Sequence, residues 1–225
     1  MPSHAFSTKT RRLLNTTSPI TRRVALGLLA AAVPVRLLAA QAPTTVPLFD
    51  GATLGKWKPV SFGGEGEVSV VGGAIRLERG YDLTGIVWTG SLPGPRFRLE
   101  VEARRIEGSD FFAAITVPVG TAHCSLVVGG WGGTVVGFSS LDGLDASENE
   151  SSKTFTFKDG QWYRLAVEVT PELLQGFVDG TLVTEAKTAG REVDVRIEMN
   201  PCRPIGIASW RTTSDIRSIT LQERA

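Results

Sequence analysis

The segment Arg96-Phe97-Arg98-Leu99-Glu100-Val101-Glu102-Ala103 alternates charged and apolar residues without a fault. That pattern commits it to an extended strand with one wet face and one dry face. A helix would scatter Phe97, Leu99, Val101 and Ala103 around its circumference, whereas a strand aligns them on one side. The same period of two runs through residues 162–170, aligning Tyr163, Leu165, Val167 and Val169. It also predicts a strand over residues 193–199, with Val193, Val195, Ile197 and Met199 inward and Asp194, Arg196 and Glu198 on a shared polar face.

Shorter strand candidates fill the remainder: 68–71, 74–78, 85–88, 111–117, 123–128, 134–138, 154–157, 174–178, 181–184, 205–210 and 216–222. Asp179-Gly180 between two apolar runs is a type I′ hairpin signal, and Gly72-Gly73 offers a second. Many short one-sided strands must bury their apolar faces against a second sheet. The expectation is therefore an all-β, two-sheet sandwich of the jelly-roll kind, favoured over a closed barrel by the long excursions between some strands. The longest excursion, 139–153, is an acidic loop carrying Asp142, Asp145, Glu148 and Glu150.

The first 42 residues read differently. They hold six arginines and lysines, no acid, and an apolar run over 24–35, which is the pattern of a signal peptide too short to act as a membrane anchor. Ala40-Gln41-Ala42 fits small-x-small cleavage, so the mature domain is expected at 43–225. Thr21-Arg22-Arg23-Val24-Ala25-Leu26 resembles a twin-arginine signal, implying export machinery as a partner and a periplasmic or extracellular destination. Of 24 basic and 23 acidic residues, removal of the leader's six basic ones leaves 18 against 23, a net charge of −5. Such a domain has no electrostatic case for nucleic acid. Cys124 and Cys202 match no metal spacing; they either pair outside the cell or, the more ordinary reading, remain buried thiols.

Pro47-Leu48-Phe49-Asp50-Gly51-Ala52-Thr53-Leu54, followed by Trp57, resembles the opening of the 3-keto-disaccharide hydrolase domain family. Gly160-Gln161-Trp162-Tyr163, the hairpin Gly176-Phe177-Val178-Asp179-Gly180 and the closing Ile205-Gly206-Ile207-Ala208 and Ile216-Arg217-Ser218-Ile219 are similar to later family signatures. Tyr163 and Asp179 stand where the family often has asparagine, and residues 129–133 and 139–145 depart from its common pattern. The resemblance implies a concanavalin-like sandwich, preceded here by an export signal. It further implies cleavage of the glycosidic bond of sugars oxidised at the 3-position.

No phosphate-cradling loop or nucleophile elbow is present, and His123 is the single histidine after residue 42. Chemistry would then rest on carboxylates with His123 in support. The family's reaction needs a base for the carbon-bound proton beside a ketone, and the candidates are Glu198 and His123, with Asp142 assisting. Asp145, Glu148 and Glu150 are hard oxygen donors suited to a divalent cation such as calcium or magnesium, though a flexible acidic surface loop is the more ordinary reading. Trp131, Trp88 and Trp210 are candidate platforms for a saccharide ring, with Arg196 and Arg211 as hydroxyl or keto-oxygen donors. Trp57 and Trp162 fall at framework positions and read as core. The rival readings are a non-catalytic carbohydrate-binding module and a structural domain of the cell envelope.

Overall fold

The computed structural model describes residues 44–224. The leader and its cleavage point therefore lie outside the described residues. In chain order the strands are β1 (Thr45–Pro47), β2 (Trp57–Pro59), β3 (Val68–Val71), β4 (Ala74–Leu77) and β5 (Leu83–Trp88). They continue as β6 (Phe97–Glu107), β7 (Ala113–Val119), β8 (Ala122–Gly130), β9 (Val135–Ser139) and β10 (Lys153–Thr154). The last are β11 (Tyr163–Val169), β12 (Leu173–Val178), β13 (Thr181–Lys187), β14 (Gly206–Trp210) and β15 (Thr213–Glu223).

Two antiparallel sheets form a sandwich. The first runs β13-β12-β11-β6-β15-β4-β3, with β1 added along β15; the second runs β10-β9-β8-β7-β14-β5-β2. The predicted alternation of β6 holds over the strand: Phe97, Leu99, Val101 and Ala103 are buried while Arg98, Glu100 and Glu102 are half-exposed. Both hairpin dipeptides adopt the positive φ that a type I′ turn demands, at 50° and 80° for Asp179-Gly180 and 58° and 80° for Gly72-Gly73. The core between the sheets joins Trp57, Ile75, Leu99, Phe112, Ile115, Leu126, Phe138 and Leu165. Rings of Phe112, Phe155, Phe157 and Tyr163 close one part of it, with centroids 4.7–6.3 Å apart. Cys124 and Cys202 are both buried and unbridged, the more ordinary of the two expectations.

One predicted strand is not a strand. Residues 193–199 make an isolated bridge from Val193 to Leu141 and then wind into a 3-10 turn over Ile197–Cys202 that contains Pro201. The apolar alternation there does not mark a sheet position. Val195 and Met199 are buried, whereas Ile197, on the same predicted face, is 80% exposed. The segment is a strap laid across the outer face of the second sheet, where Val195, Met199 and Cys202 join Ala114, Val127 and Ala208 in a smaller apolar cluster. Its backbone lies so close to β14 that a Cβ at Gly206 would meet the carbonyl oxygen of Cys202 at 2.5 Å. Glycine at 206 is a condition of the strap's docking.

Candidate functional site

The outer face of the second sheet follows from strand parity. β7 sends Ala113, Ile115 and Val117 into the core between the sheets and leaves Ala114 outward; β8 does the same with Leu126 and Val128 inward and Val127 outward. The outward set is small or short: Ala114, Ser125, Val127 and Ser139. Small residues leave space beneath the strap. A cavity of about 210 Å³ opens there, floored by those four and walled by Leu83, Asp110, Phe111, Trp131, Trp210, Arg196, Glu198 and Met199. A second, more open cavity of about 360 Å³ lies against Ser140, Gly143, Asp145, Glu192 and Asp194, and Arg196 and Glu198 line both.

Arg196 organises the boundary between the two. Its guanidinium donates to both oxygens of Glu198, at 3.4 and 3.1 Å, and to Oδ2 of Asp145 in the acidic loop. Hydrogen bonding from Arg196 holds the Glu198 carboxyl below the usual range, as the sequence pairing anticipated. On the opposite wall Asp110 behaves in the contrary way. Burial pushes its carboxyl up, and hydrogen bonds from the backbone N–H groups of Phe111 and Trp131 to Oδ1, at 2.8 and 3.2 Å, only partly offset it. The same bond fixes Trp131, which is 39% exposed and has a φ of 47° among flanking glycines.

Of the residues singled out in the sequence, the strap and sheet therefore bring together Glu198, Arg196, Trp131 and Trp210. Arg211 stands beside them: its guanidinium lies 5.5 Å from the Trp210 ring and donates to Asp82 at 2.7 and 3.0 Å. Trp88 is elsewhere. It lies on the inward parity of β5, is 8% exposed, and packs on Trp57 with centroids 5.2 Å apart, so no ligand face is free. Trp162 is not core; it is half-buried on the first sheet's outer surface between Arg104 and Arg217, at 4.5 and 4.0 Å.

His123 is the second residue of β8, opposite Pro118, and lines neither cavity. Burial lowers its pKa, assisted by the like charge of Arg203, so it is neutral at ordinary pH. Asp142 is likewise outside both cavities. Its carboxylate accepts from Arg191 Nε at 2.9 Å and from the Glu192 N–H at 3.0 Å, which ties the acidic loop to the chain leading into the strap. Glu150 also binds Arg191. Glu148 reaches back to the Asp145 N–H at 3.4 Å. Of the three carboxylates expected to hold a divalent cation, Asp145 and Glu150 are thus matched by arginines, and among the described residues no group of three or more His, Cys, Asp or Glu is arranged to hold a metal. The loop's fold rests on Asn149, buried at 6%, whose amide donates to the carbonyls of Phe138, Leu144 and Asp145 at 2.8, 3.2 and 2.8 Å.

Sequence reasoning missed Asp110, Phe111, Ser125 and Ser139. An acid just before a strand looks like turn chemistry, and two serines inside apolar strands carry no signal until their parity places them on a cavity floor.

A sandwich of two antiparallel sheets with a cavity on one outer face is a concanavalin-like architecture, and solved structures share it. The carbohydrate-binding module CBM66 from Bacillus subtilis superposes with a TM-score of 0.52 at 13% identity, covering 75% of this chain and 96% of that one. A putative glycosyl hydrolase from Parabacteroides distasonis gives 0.51 at 11% identity, covering 80% and 94%. The Bacillus licheniformis β-glucanase gives 0.52 at 12% identity, covering 81% and 98%. At such identities the likeness is one of fold. The profile of the 3-keto-alpha-glucoside-1,2-lyase-like domain family matches residues 44–222, and the chain belongs to that family. No curated protein matches the sequence.

Proposed function

We propose that this protein binds a saccharide in the cavity under the strap. The observation that carries the reading is the lining itself. Three aromatic side chains, Phe111, Trp131 and Trp210, converge with Asp110, Glu198, Arg196, Ser125 and Ser139 on one space of about 210 Å³. Aromatic faces match the apolar side of a sugar ring, and the polar groups match its hydroxyls. Relatives in fold include a carbohydrate-binding module and a β-glucanase, which supports the same ligand class. The basic and apolar leader supports export by the twin-arginine route to the periplasm or beyond.

A second reading adds chemistry to binding, and the Glu198 carboxylate that Arg196 holds on the cavity wall favours it. Family membership points to a glycoside whose ring carries a ketone at carbon 3. That ketone acidifies the proton on carbon 2. Glu198, kept ionised by Arg196, takes that proton; the electron pair forms the carbon 1–carbon 2 double bond as the bond from carbon 1 to the leaving oxygen breaks. Glu198 then passes that proton to the leaving oxygen, which returns its own carboxylate to the ionised state. Addition of water across the double bond then completes the cleavage.

The test is incubation of the full-length protein with 3-keto-trehalose and 3-keto-lactose beside the unoxidised sugars. Release of 3-keto-glucose from the keto substrates alone supports the chemistry. Binding of the sugars without release confines the protein to recognition, and neither binding nor release defeats both readings.

A further inference from the structure

One charge in the cavity has no counter-charge. Arg196 is the single cationic side chain among its lining residues, and it is committed to Glu198 and Asp145. Asp110 spends Oδ1 on the N–H groups of Phe111 and Trp131. Its Oδ2 has no hydrogen-bond or ion-pair partner among the described residues. Arg105 and Arg211 act on it only through their fields, because Asp159 engages the first and Asp82 the second. The rings of Phe111, Trp131 and Trp210 line the same cavity as this half-buried carboxylate.

A carboxylate that shares a cavity with aromatic rings is a setting that favours a cation. An aromatic ring presents a negative face, which attracts an ammonium group within about 6 Å of its centroid; Trp210 already has Arg211 at 5.5 Å, which leaves that part to Phe111 and Trp131. Any donor to a carboxylate makes a charge-assisted hydrogen bond, and an ammonium donor adds to it a charge–charge attraction that a hydroxyl lacks. A neutral hydroxyl satisfies Oδ2 but leaves the charge uncompensated. We propose that the cavity selects saccharides bearing a protonated amine, that is amino sugars, and that Asp110 is the specificity-determining residue. This rests on the saccharide reading above and names the ligand class of that same site.

The experiment titrates the full-length protein with D-glucosamine, N-acetyl-D-glucosamine and D-glucose, following tryptophan fluorescence and the heat of binding. Glucosamine is expected to bind about tenfold more tightly than either neutral sugar, the advantage of one added charge–charge attraction. That ratio should collapse in Asp110→Asn, which keeps an Oδ1 acceptor for the Trp131 N–H while removing the charge. In the wild type it should also collapse on raising the pH above the amine's own pKa, a readout independent of any variant. Equal binding of glucosamine and glucose would overturn the amine preference and leave the saccharide site standing. A preference that survives Asp110→Asn would overturn the role given to Asp110. Binding of none of the three sugars would overturn both this inference and the reading beneath it.

Discussion

Replacing Asp215 by alanine should cost this fold more than any exposed ion pair it contains. Asp215 lies in β15 directly opposite Arg104 of β6 and Arg76 of β4, so register alone sets two guanidinium groups on one carboxylate. The carboxylate is 1% exposed and takes four hydrogen bonds, at 2.8 and 3.0 Å from Arg76 and at 3.0 and 2.7 Å from Arg104. Burial by itself would raise its pKa; the bonds from the two arginines outweigh that, and the folded carboxyl sits below its ordinary value. Breaking a buried pair from one side costs about 3–5 kcal/mol. The arginine side chains are 25% and 30% exposed, so water recovers part of their loss, and the lower end, about 3 kcal/mol, is expected. For a domain of this size that corresponds to a fall in Tm of roughly 6–12 °C.

Urea unfolding followed by circular dichroism gives the free energy directly, with Glu102→Ala as control. Glu102 faces Arg217 across the same strands at 2.6 Å, but both are half-exposed, with side chains at 33% and 42%, so its loss should stay under about 1 kcal/mol. Because the folded pKa of Asp215 is depressed, its contribution is complete above the unfolded pKa and disappears as the pH falls through the folded one. The gap between wild type and Asp215→Ala should therefore narrow only in strong acid. A loss below about 1 kcal/mol at neutral pH, or a gap unchanged by acid, would refute the account of a charge stabilised by register.

Other consequences are as direct. Trp131→Ala should weaken saccharide binding by about tenfold while leaving the urea midpoint nearly unchanged, since the ring is 39% exposed. Asp110→Asn should stabilise the protein at neutral pH, because the wild-type carboxylate bears a burial cost that raises its pKa; the advantage should vanish as the pH falls through that raised value and the wild type is protonated too. Asn149→Ala, which takes the Oδ1 acceptor from the buried Ser151 N–H and hydroxyl and the amide donor from the Phe138 carbonyl, should destabilise by about 2–3 kcal/mol in the same urea assay and speed hydrogen exchange in the acidic loop. Burial pushes Cys124 and Cys202 up to about 12, so a thiol reagent should label neither until the protein unfolds, and labelling of the native protein would contradict their placement.

The residues of β6 and β11 state their own conformation because a period of two has one structural solution, and the glycine hairpins follow from φ values that other residues resist. Arg196 and Glu198 were legible as neighbours on one polar edge, although the strand which that reading assumed is a strap. The strap was not. Val193, Val195, Ile197 and Met199 satisfy the strand pattern, yet a chain lying across a finished sheet buries some of its apolar residues without pairing its backbone. Nor was the fate of the acidic loop legible, since its carboxylates are close in sequence but Arg191 and Arg196, their partners, are distant in it.

Local periodicity, turn chemistry and the family's framework residues thus determined an all-β sandwich, because each depends on neighbours in the chain. Which tryptophan lines the cavity depended on tertiary placement: Trp88 turns inward on β5, whereas Trp131, in the turn that follows β8, stands at the cavity wall. Asp110 became a site residue only when residues 193–203 folded back over β7, β8 and β14. A cavity is made of chain segments that meet in space, and the tertiary structure alone decides which ones do.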